Sequence, residues 1–165
     1  MVRSPTEFLP GWNSSVWVYG KEVRSVTVIA SNREMMVGDT QCIHDDTRVS
    51  THRKIHVVRD MLVGYAGCMD SGIDFLEWCK RGKGSKGKPG GLSEEFTGLL
   101  LDENGIYEYK GPLVPIRIEG DIWAIGSGAQ AALGAMYMGA DPEEAVKIAC
   151  TIDPYCGGPI TVERL

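Results

Sequence analysis

Closely spaced cysteine pairs are absent from this sequence. Its five cysteines lie at Cys42, Cys68, Cys79, Cys150 and Cys156, and no two of them form a C-x-x-C motif. An odd number of cysteines without that spacing is typical neither of a disulfide framework nor of a zinc finger. The cysteine usage therefore agrees with a reducing, cytoplasmic compartment.

Long apolar runs and an excess of positive charge are also missing. No segment approaches the length of a membrane span, and the N-terminus has no uninterrupted apolar core of the kind found in secretion signals. We therefore expect a cytoplasmic protein with no membrane partner. The net charge of −5 argues against nucleic acid as a partner bound across the whole surface.

Patterns for metal or phosphate binding are weak. Six residues could be assembled into a metal site on paper, but their spacing matches no helical or finger pattern. They are Cys42, His44, Asp45, Asp46, His52 and His56. The basic segment 80–91 has glycines spaced as in a P-loop, but Pro89 follows Lys88 where a Ser or Thr is needed. We therefore predict a solvated loop there, and neither a metal nor a cofactor. A cysteine nucleophile, Cys68 or Cys156, paired with a histidine stays open.

What remains is the composition of an ordinary globular protein. A chain of 165 residues with 43% apolar and 24% charged residues fits one domain with a hydrophobic core. Residues 1–26 stand apart, because they carry Trp12 and Trp17 but are interrupted by prolines and glycines. We interpret residues 1–26 as an N-terminal arm or propeptide and residues 27–165 as the folded domain.

Hydrophobic periodicity in the folded part is mostly that of strands. The predicted strands cover residues 26–30, 35–37, 54–59, 61–64, 96–101, 106–109, 113–118, 121–125 and 159–165, and a turn at Asn104-Gly105 should supply positive φ angles. Amphipathic and small-residue patterns predict helices over residues 71–81 and 129–138. Asp141 and Pro142 mark the start of a third helix, which should end before Asp153-Pro154. This order suits an α+β fold with two stacked sheets and helices outside.

Candidate chemistry begins with Thr27 and Asp39, which lie at opposite ends of the first predicted hairpin. A Thr and an Asp placed opposite each other can act as nucleophile and charge partner, although both are common in strands and turns. Three further pieces follow: Lys54 between two histidines, the Gly-Ser-Gly tripeptide at 126–128, and the Asp-Pro-Tyr-Cys-Gly-Gly segment at 153–158. Each alone has a plain structural interpretation as a solvated strand face or a turn.

Together these pieces resemble the N-terminal-nucleophile hydrolases of the proteasome β-subunit class, in particular the small HslV-like members of bacteria and their phages. The nucleophilic threonine of that family opens a Thr-Thr-Ile-Ala strand, which is similar to Thr27-Val-Ile-Ala30. The family's Asp after the returning strand, its lysine and its turn glycine are matched by Asp39, Lys54 and Gly67. Its Gly-Ser-Gly loop and its late Asp-x-Tyr-Ser/Thr-Gly-Gly motif are matched at residues 126–128 and 153–158.

The resemblance implies a four-layer αββα sandwich of two antiparallel sheets and the activity of a threonine peptidase. Thr27 would attack a peptide carbonyl with its own α-amino group as the base. Lys54, held in place by Asp39, would lower the cost of forming the alkoxide.

The resemblance also assigns the groups around the nucleophile. Ser127 and Asp153 would complete the hydrogen-bond network of the amine, and the backbone N–H of Gly67 would receive the oxyanion. The implied partners are a peptide or unfolded protein as substrate and further copies of the chain in a homo-oligomeric ring, with an ATPase or a virion as a further candidate.

Two residues differ from the family pattern. Thr27 follows Val26 instead of being the first residue, and Cys156 stands where relatives have Ser or Thr. A chain that keeps its leader has no free amine at Thr27. The alternative function is therefore a catalytically inactive structural or interaction protein with the same fold, for example a phage virion component anchored by its uncleaved arm.

Overall fold

The computed structural model of the chain describes residues 27–44, 47–82 and 87–165. The arm predicted over residues 1–26, residues 45–46 and residues 83–86 of the basic loop lie outside the described residues. The strands are β1 Val28–Ser31, β2 Met35–Gly38, β3 Gln41–His44, β4 Thr47–Thr51, β5 Ile55–Val58, β6 Met61–Ala66, β7 Thr97–Asp102, β8 Gly105–Tyr109, β9 Ile116–Arg117, β10 Trp123–Gly126 and β11 Thr161–Arg164. The helices are α1 Met69–Arg81, α2 Ala129–Tyr137 and α3 Pro142–Ile152.

The first antiparallel sheet has the strand order β10-β1-β2-β11. The turn between β1 and β2 is closed by Asn32, whose side-chain Oδ1 accepts hydrogen bonds from the backbone N–H groups of Glu34 and Met35, both at 2.9 Å. Thr27 directly precedes β1, and Asp39 directly follows β2. The hairpin therefore brings these two residues to the same end of the sheet.

The second antiparallel sheet has the strand order β5-β6-β7-β8-β9. Its β5–β6 turn uses Arg59 in the left-handed region at φ 56°, and its β7–β8 turn uses Gly105 at φ 139°. The prediction that Asn104 would also have a positive φ was wrong. Asn104 instead donates its N–H to the Asp102 side chain over 2.9 Å, which closes the turn without a left-handed asparagine.

Two strand predictions need correction. The strand predicted over residues 113–118 is reduced to Ile116–Arg117, because Leu113 has a φ of 52° and Pro115 has no N–H for a ladder. A hairpin formed by β3 and β4 was not predicted at all. Its strands are rich in polar residues, so no pattern of alternating hydrophobic residues predicts them.

Among the described residues, the hydrophobic core consists of three clusters. Residues from both sheets share the central cluster, in which Ile29 and Met36 of the first sheet join Leu62 and Leu99 of the second. The neighbours of Ile29 in β1, Val28 and Ala30, belong to a second cluster with α2 and α3, and α1 packs on the second sheet in the third cluster. Strand β1 is therefore buried on both faces, as its continuous apolar sequence requires.

The helix predictions are confirmed with small shifts at the ends. Helix α1 begins at Met69, two residues before the predicted start, and α2 ends at Tyr137. Asp141 caps α3 in a full capping box, in which it accepts the N–H of Glu144 and the Glu144 side chain accepts the N–H of Asp141. None of the helices in the described part of the chain is long and apolar enough to cross a membrane.

Loss of the α3 cap should destabilise the protein moderately. We expect Asp141→Ala to lower the free energy of unfolding by about 1 kcal/mol, because an N-terminal N–H of the helix then loses its acceptor. Urea unfolding followed by circular dichroism measures the change. Asp74→Ala, at an exposed position within α1, is the matched control and should stay within about 0.5 kcal/mol of the wild type. Equal effects of the two substitutions would contradict a capping role.

Candidate active site

Thr27 is buried directly before β1 and is held through its backbone. The Oγ atom of Ser127 lies 3.3 Å from both the nitrogen and the carbonyl oxygen of Thr27. It accepts from the N–H, and its single proton is shared between the Thr27 carbonyl and the Asp153 carboxylate. The N–H of Gly128 also donates to that carbonyl, over 3.2 Å. A Cβ atom on Gly126, which has a φ of 95°, would lie 2.1 Å from the same oxygen. The Gly-Ser-Gly sequence is thus needed for the close approach of the two segments.

Asp39 is fully buried and accepts four hydrogen bonds. Its Oδ1 atom accepts from the N–H of Val28 at 3.1 Å and from Nζ of Lys54 at 2.9 Å. Its Oδ2 atom accepts from the N–H of Gln41 at 3.2 Å and from the N–H of Gly157 at 3.1 Å. Because burying an unpaired carboxylate is costly, this set of donors explains how Asp39 is tolerated in the interior.

Lys54 immediately precedes β5 and points inward, with its side chain only 7% exposed. Besides Asp39, its Nζ atom contacts the carbonyl oxygen of Gln41 at 2.9 Å. The flanking His52 and His56 are both more exposed than Lys54. The plain interpretation of Lys54 as part of a solvated strand face is therefore wrong, and the lysine forms a buried ion pair with Asp39.

Gly67 lies between the end of β6 and the start of α1 and has a φ of 86°. A Cβ atom at this position would lie 2.0 Å from the carbonyl oxygen of Glu95. Only glycine fits such a turn without moving the backbone.

The last part of the site follows α3. The Asp153 carboxylate accepts the N–H of Tyr155 at 2.9 Å and the thiol of Cys156 at 3.3 Å. Cys156 is also 3.6 Å from Oγ of Ser127, which connects this turn to Thr27. Burial raises the pKa of the Asp153 carboxyl, but hydrogen bonds from Ser127, Tyr155 and Cys156 outweigh burial, so that the pKa lies below its ordinary value.

The same network bears on the alternative of a cysteine nucleophile. Cys156 is buried, and burial raises the pKa of its thiol far above the ordinary range, while the nearby Asp39 and Asp153 act in the same direction. A nucleophilic cysteine needs a thiolate, which positive neighbours or a helix N-terminus would favour. Cys156 therefore serves as a neutral hydrogen-bond donor to Asp153.

The depressed pKa of Asp153 predicts a pH-dependent contribution to stability. The carboxylate stabilises the fold above the pKa of the unfolded chain, about 3.9, and this contribution is lost as the pH falls through the lower folded value. Asp153→Asn should therefore lower the free energy of unfolding at neutral pH, and the gap to the wild type should shrink below about pH 4. Urea unfolding across this range measures the gap, and Asp60→Asn in the exposed β5–β6 turn is the control. A gap that is constant with pH would contradict the prediction.

Some of these site residues line a common cleft of about 90 Å³. It is lined by Thr27, Gln41, Cys42, Ile43, His52, Lys54, Tyr65, Ala66, Gly67 and Met69. Of the six residues predicted from sequence, Thr27, Lys54 and Gly67 line the cleft. Asp39 lies behind Lys54, and Ser127 with Asp153 lies on the side of the Thr27 nitrogen.

Sequence reasoning missed several residues of the site. Gln41 contacts Lys54 through its backbone carbonyl, and His52 is joined to the hydroxyl of Tyr65 by a 2.7 Å hydrogen bond. The only signal for Gln41 is its position two residues after Asp39. Among the described residues, no three His, Cys, Asp or Glu residues are placed to share a metal ion. Asp45 and Asp46 of the weighed metal set lie outside that part of the chain.

Comparison with solved structures identifies an HslV-like fold, which Thiobacillus denitrificans BPH shares. Thiobacillus denitrificans BPH superimposes with a TM-score of 0.66 at 17% identity, over 84% of this chain and 97% of that chain. HslV from Trypanosoma brucei gives a TM-score of 0.64 at 23% identity, over 84% of this chain and 98% of that chain.

A structure of Thiobacillus denitrificans BPH in complex with epoxomicin matches as well. Its TM-score is 0.62 at 18% identity, over 84% of this chain and 97% of that chain. Comparisons with models of protein families and with curated proteins find no match. At these identities the likeness establishes the fold, and the chemistry depends on the site.

Proposed function

We propose that the chain is a threonine peptidase that hydrolyses peptide bonds once Thr27 is its first residue. The observation that carries this proposal is the buried Lys54–Asp39 ion pair, which reaches the same cleft as Thr27 and Gly67. Holding a paired lysine beside a buried threonine is costly for a protein that needs only a stable core. The arrangement has a clear use in lowering the free energy of a threonine alkoxide.

The proposed reaction uses each group at a stated atom. The α-amine of Thr27 takes the proton of its own hydroxyl as Oγ attacks the peptide carbonyl. The N–H of Gly67 donates to the oxyanion, and the Lys54 ammonium stabilises the negative charge on Oγ as it forms. The leaving amine then takes the proton, and water hydrolyses the ester on Thr27 to restore the enzyme.

The amine has to be positioned as well as present. Ser127 Oγ already lies 3.3 Å from the Thr27 nitrogen, and Ser127 and Cys156 both bond to Asp153. We propose that this chain of hydrogen bonds orients the lone pair of the amine toward its own hydroxyl. While Val26 is attached, the nitrogen belongs to a peptide bond and cannot act as a base, so residues 1–26 are proposed to be a leader that must be removed.

The finer features of the family are proposed in the same way. The three hydrophobic clusters support a four-layer αββα arrangement for residues 27–165, since residues of both sheets share one cluster and helices cover the other two. A cytoplasmic homo-oligomeric ring that takes peptide or unfolded protein substrates is the assembly proposed for it, with an ATPase as a candidate partner.

The test compares two forms of the chain. A form beginning at Thr27, released from a fusion by a protease that cuts directly before it, should hydrolyse unfolded protein and fluorogenic peptides. Epoxomicin, found with Thiobacillus denitrificans BPH, should inhibit it. The form that keeps residues 1–26 should be inactive until the bond between Val26 and Thr27 is cleaved. Mass spectrometry detects this cleavage. A folded chain beginning at Thr27 with no hydrolysis of any substrate would overturn the proposal.

One observation favours the alternative of an inactive structural or interaction protein. In the intact chain the Thr27 nitrogen is a peptide N–H that donates to Ser127, a stable arrangement without any free amine. Under this alternative, which includes a phage virion component, the Val26–Thr27 bond stays intact in the assembled particle. N-terminal sequencing of the purified assembly distinguishes the two functions.

A further inference from the structure

The residues directly after β2 form a junction with the segment that follows α3. The N–H of Thr40 donates to the carbonyl of Gly157 at 3.2 Å, and its hydroxyl donates to the carbonyl of Pro159 at 2.6 Å. Gly158 leaves room for this contact, because a Cβ atom there would lie 2.8 Å from the Thr40 hydroxyl. Residues 39–41 and 154–159 are therefore built to fit each other.

Gln41 is the member of this junction that contacts both sides of the site. Its backbone N–H is shared between the carbonyl of Gly157 at 2.9 Å and the Asp39 carboxylate at 3.2 Å, and its own carbonyl accepts from Lys54 at 2.9 Å. Its side-chain Nε2 donates to the carbonyl of Pro154 at 3.3 Å. The residue is buried, with 7% of its surface exposed.

The position of Pro154 gives this side-chain bond its importance. Pro154 directly follows Asp153, and Cys156 lies two residues further on, so the carbonyl that Gln41 holds belongs to the turn that bonds to Ser127. Close packing supports the same contact, because a Cβ atom on Gly157 would lie 2.7 Å from the amide oxygen of Gln41. One residue thus joins the Lys54 ion pair to the network at the Thr27 nitrogen.

We propose that Gln41 is a positioning residue whose side-chain amide holds the 153–157 turn in register with Lys54, so that the amine and the lysine act on the same hydroxyl. This inference rests on the proposed peptidase function. A neutral amide suits the place, because it donates to a carbonyl without adding charge beside Asp39. A glutamate there would add a second negative charge and remove the donor, and a methionine would leave the Pro154 carbonyl unpaired.

The kinetic test uses Gln41→Met, which keeps the length of the side chain, in full-length protein from which residues 1–26 are then removed. We expect kcat to fall about tenfold with a smaller change in KM, because the reacting groups lose their register. The acidic limb of the kcat/KM profile should move to lower pH, because a looser Asp153 stabilises the ammonium form of Thr27 less. Gln130→Met, at an exposed glutamine on α2, is the matched control and should keep the wild-type rate and profile.

A structural measurement on the full chain separates this inference from the proposed function. In Gln41→Met, the N–H groups of Gly157 and Tyr155 should exchange with deuterium about tenfold faster than in the wild type, whereas those of the α1 core should not change. If the processed wild type hydrolyses nothing but the exchange rates rise, the peptidase proposal fails and the positioning contact stands.

Unchanged exchange together with wild-type kcat and pH profile in Gln41→Met would overturn the inference while leaving Thr27 chemistry intact. Should Gln41→Met not fold, Gln41→Asn decides, because it keeps the amide but is too short to reach Pro154. We expect the same shift of the acidic limb in Gln41→Asn, and an unshifted limb would overturn the inference.

Discussion

Replacement of Thr27 by valine in the chain that begins at residue 27 should reduce the proposed peptide hydrolysis by roughly 10⁴-fold or more, because removal of the proposed covalent nucleophile would cost nearly all of the catalytic acceleration. Valine keeps the shape of threonine and the free α-amine, so the substitution removes only the hydroxyl. Thr27 is buried at the start of a central strand, where a second methyl group is tolerated better than a cavity. Hydrolysis of a fluorogenic peptide under single-turnover conditions measures the loss.

Thr27→Ser is the matched control for this prediction. Serine retains both the hydroxyl and the amine, so measurable hydrolysis and a covalent ester intermediate should survive. Urea unfolding of both variants shows whether the fold keeps its stability. If Thr27→Val is as active as Thr27→Ser, another group is the nucleophile. Cys68, which follows Gly67 between β6 and α1, would then be the next residue to replace.

Local sequence signals were sufficient for most elements of the fold. Helix α3 follows from the side chains of Asp141 and Glu144, whose capping contacts lie within three residues. Strand β1 follows from a continuous apolar run that suits burial on both faces. The β3–β4 hairpin could not be predicted in this way, because Gln41 is buried through contacts with residues more than a hundred positions away.

The residues of the candidate site could not be brought together from local sequence signals. Ser127 and Thr27 are one hundred residues apart, and no periodicity links them, so only a family resemblance could place them together. Gln41 could not be found even by resemblance to a motif, because two of its contacts use backbone atoms that every residue carries. Contacts of that kind become visible only when the backbone path is known.

Among single substitutions in the site, one that leaves a charge of the buried ion pair unpaired should destabilise the protein most. We expect Asp39→Asn to lower the free energy of unfolding by about 3–5 kcal/mol, because it leaves the Lys54 ammonium buried without a counter-charge. The new amide also brings its own N–H group next to the backbone N–H groups that donate to the Asp39 carboxylate in the wild type, and two facing donors repel. Lys54→Met should cost less, since the carboxylate then keeps the N–H groups of Val28, Gln41 and Gly157.

The double variant shows whether the two losses in free energy of unfolding arise from the interaction between Asp39 and Lys54. In Asp39→Asn with Lys54→Met no charge remains buried, so the loss should be smaller than the sum of the two single losses by more than about 1 kcal/mol. Urea unfolding of the full-length chain and its three variants completes the cycle, and it needs neither processing of Val26–Thr27 nor any activity. Losses that simply add would mean that Asp39 and Lys54 act independently. Strong coupling would mean that the two charges stabilise each other, and a double variant as stable as the wild type would mean that the pair brings no net stability. That result is expected of a pair retained for another role, here the proposed assistance to Thr27.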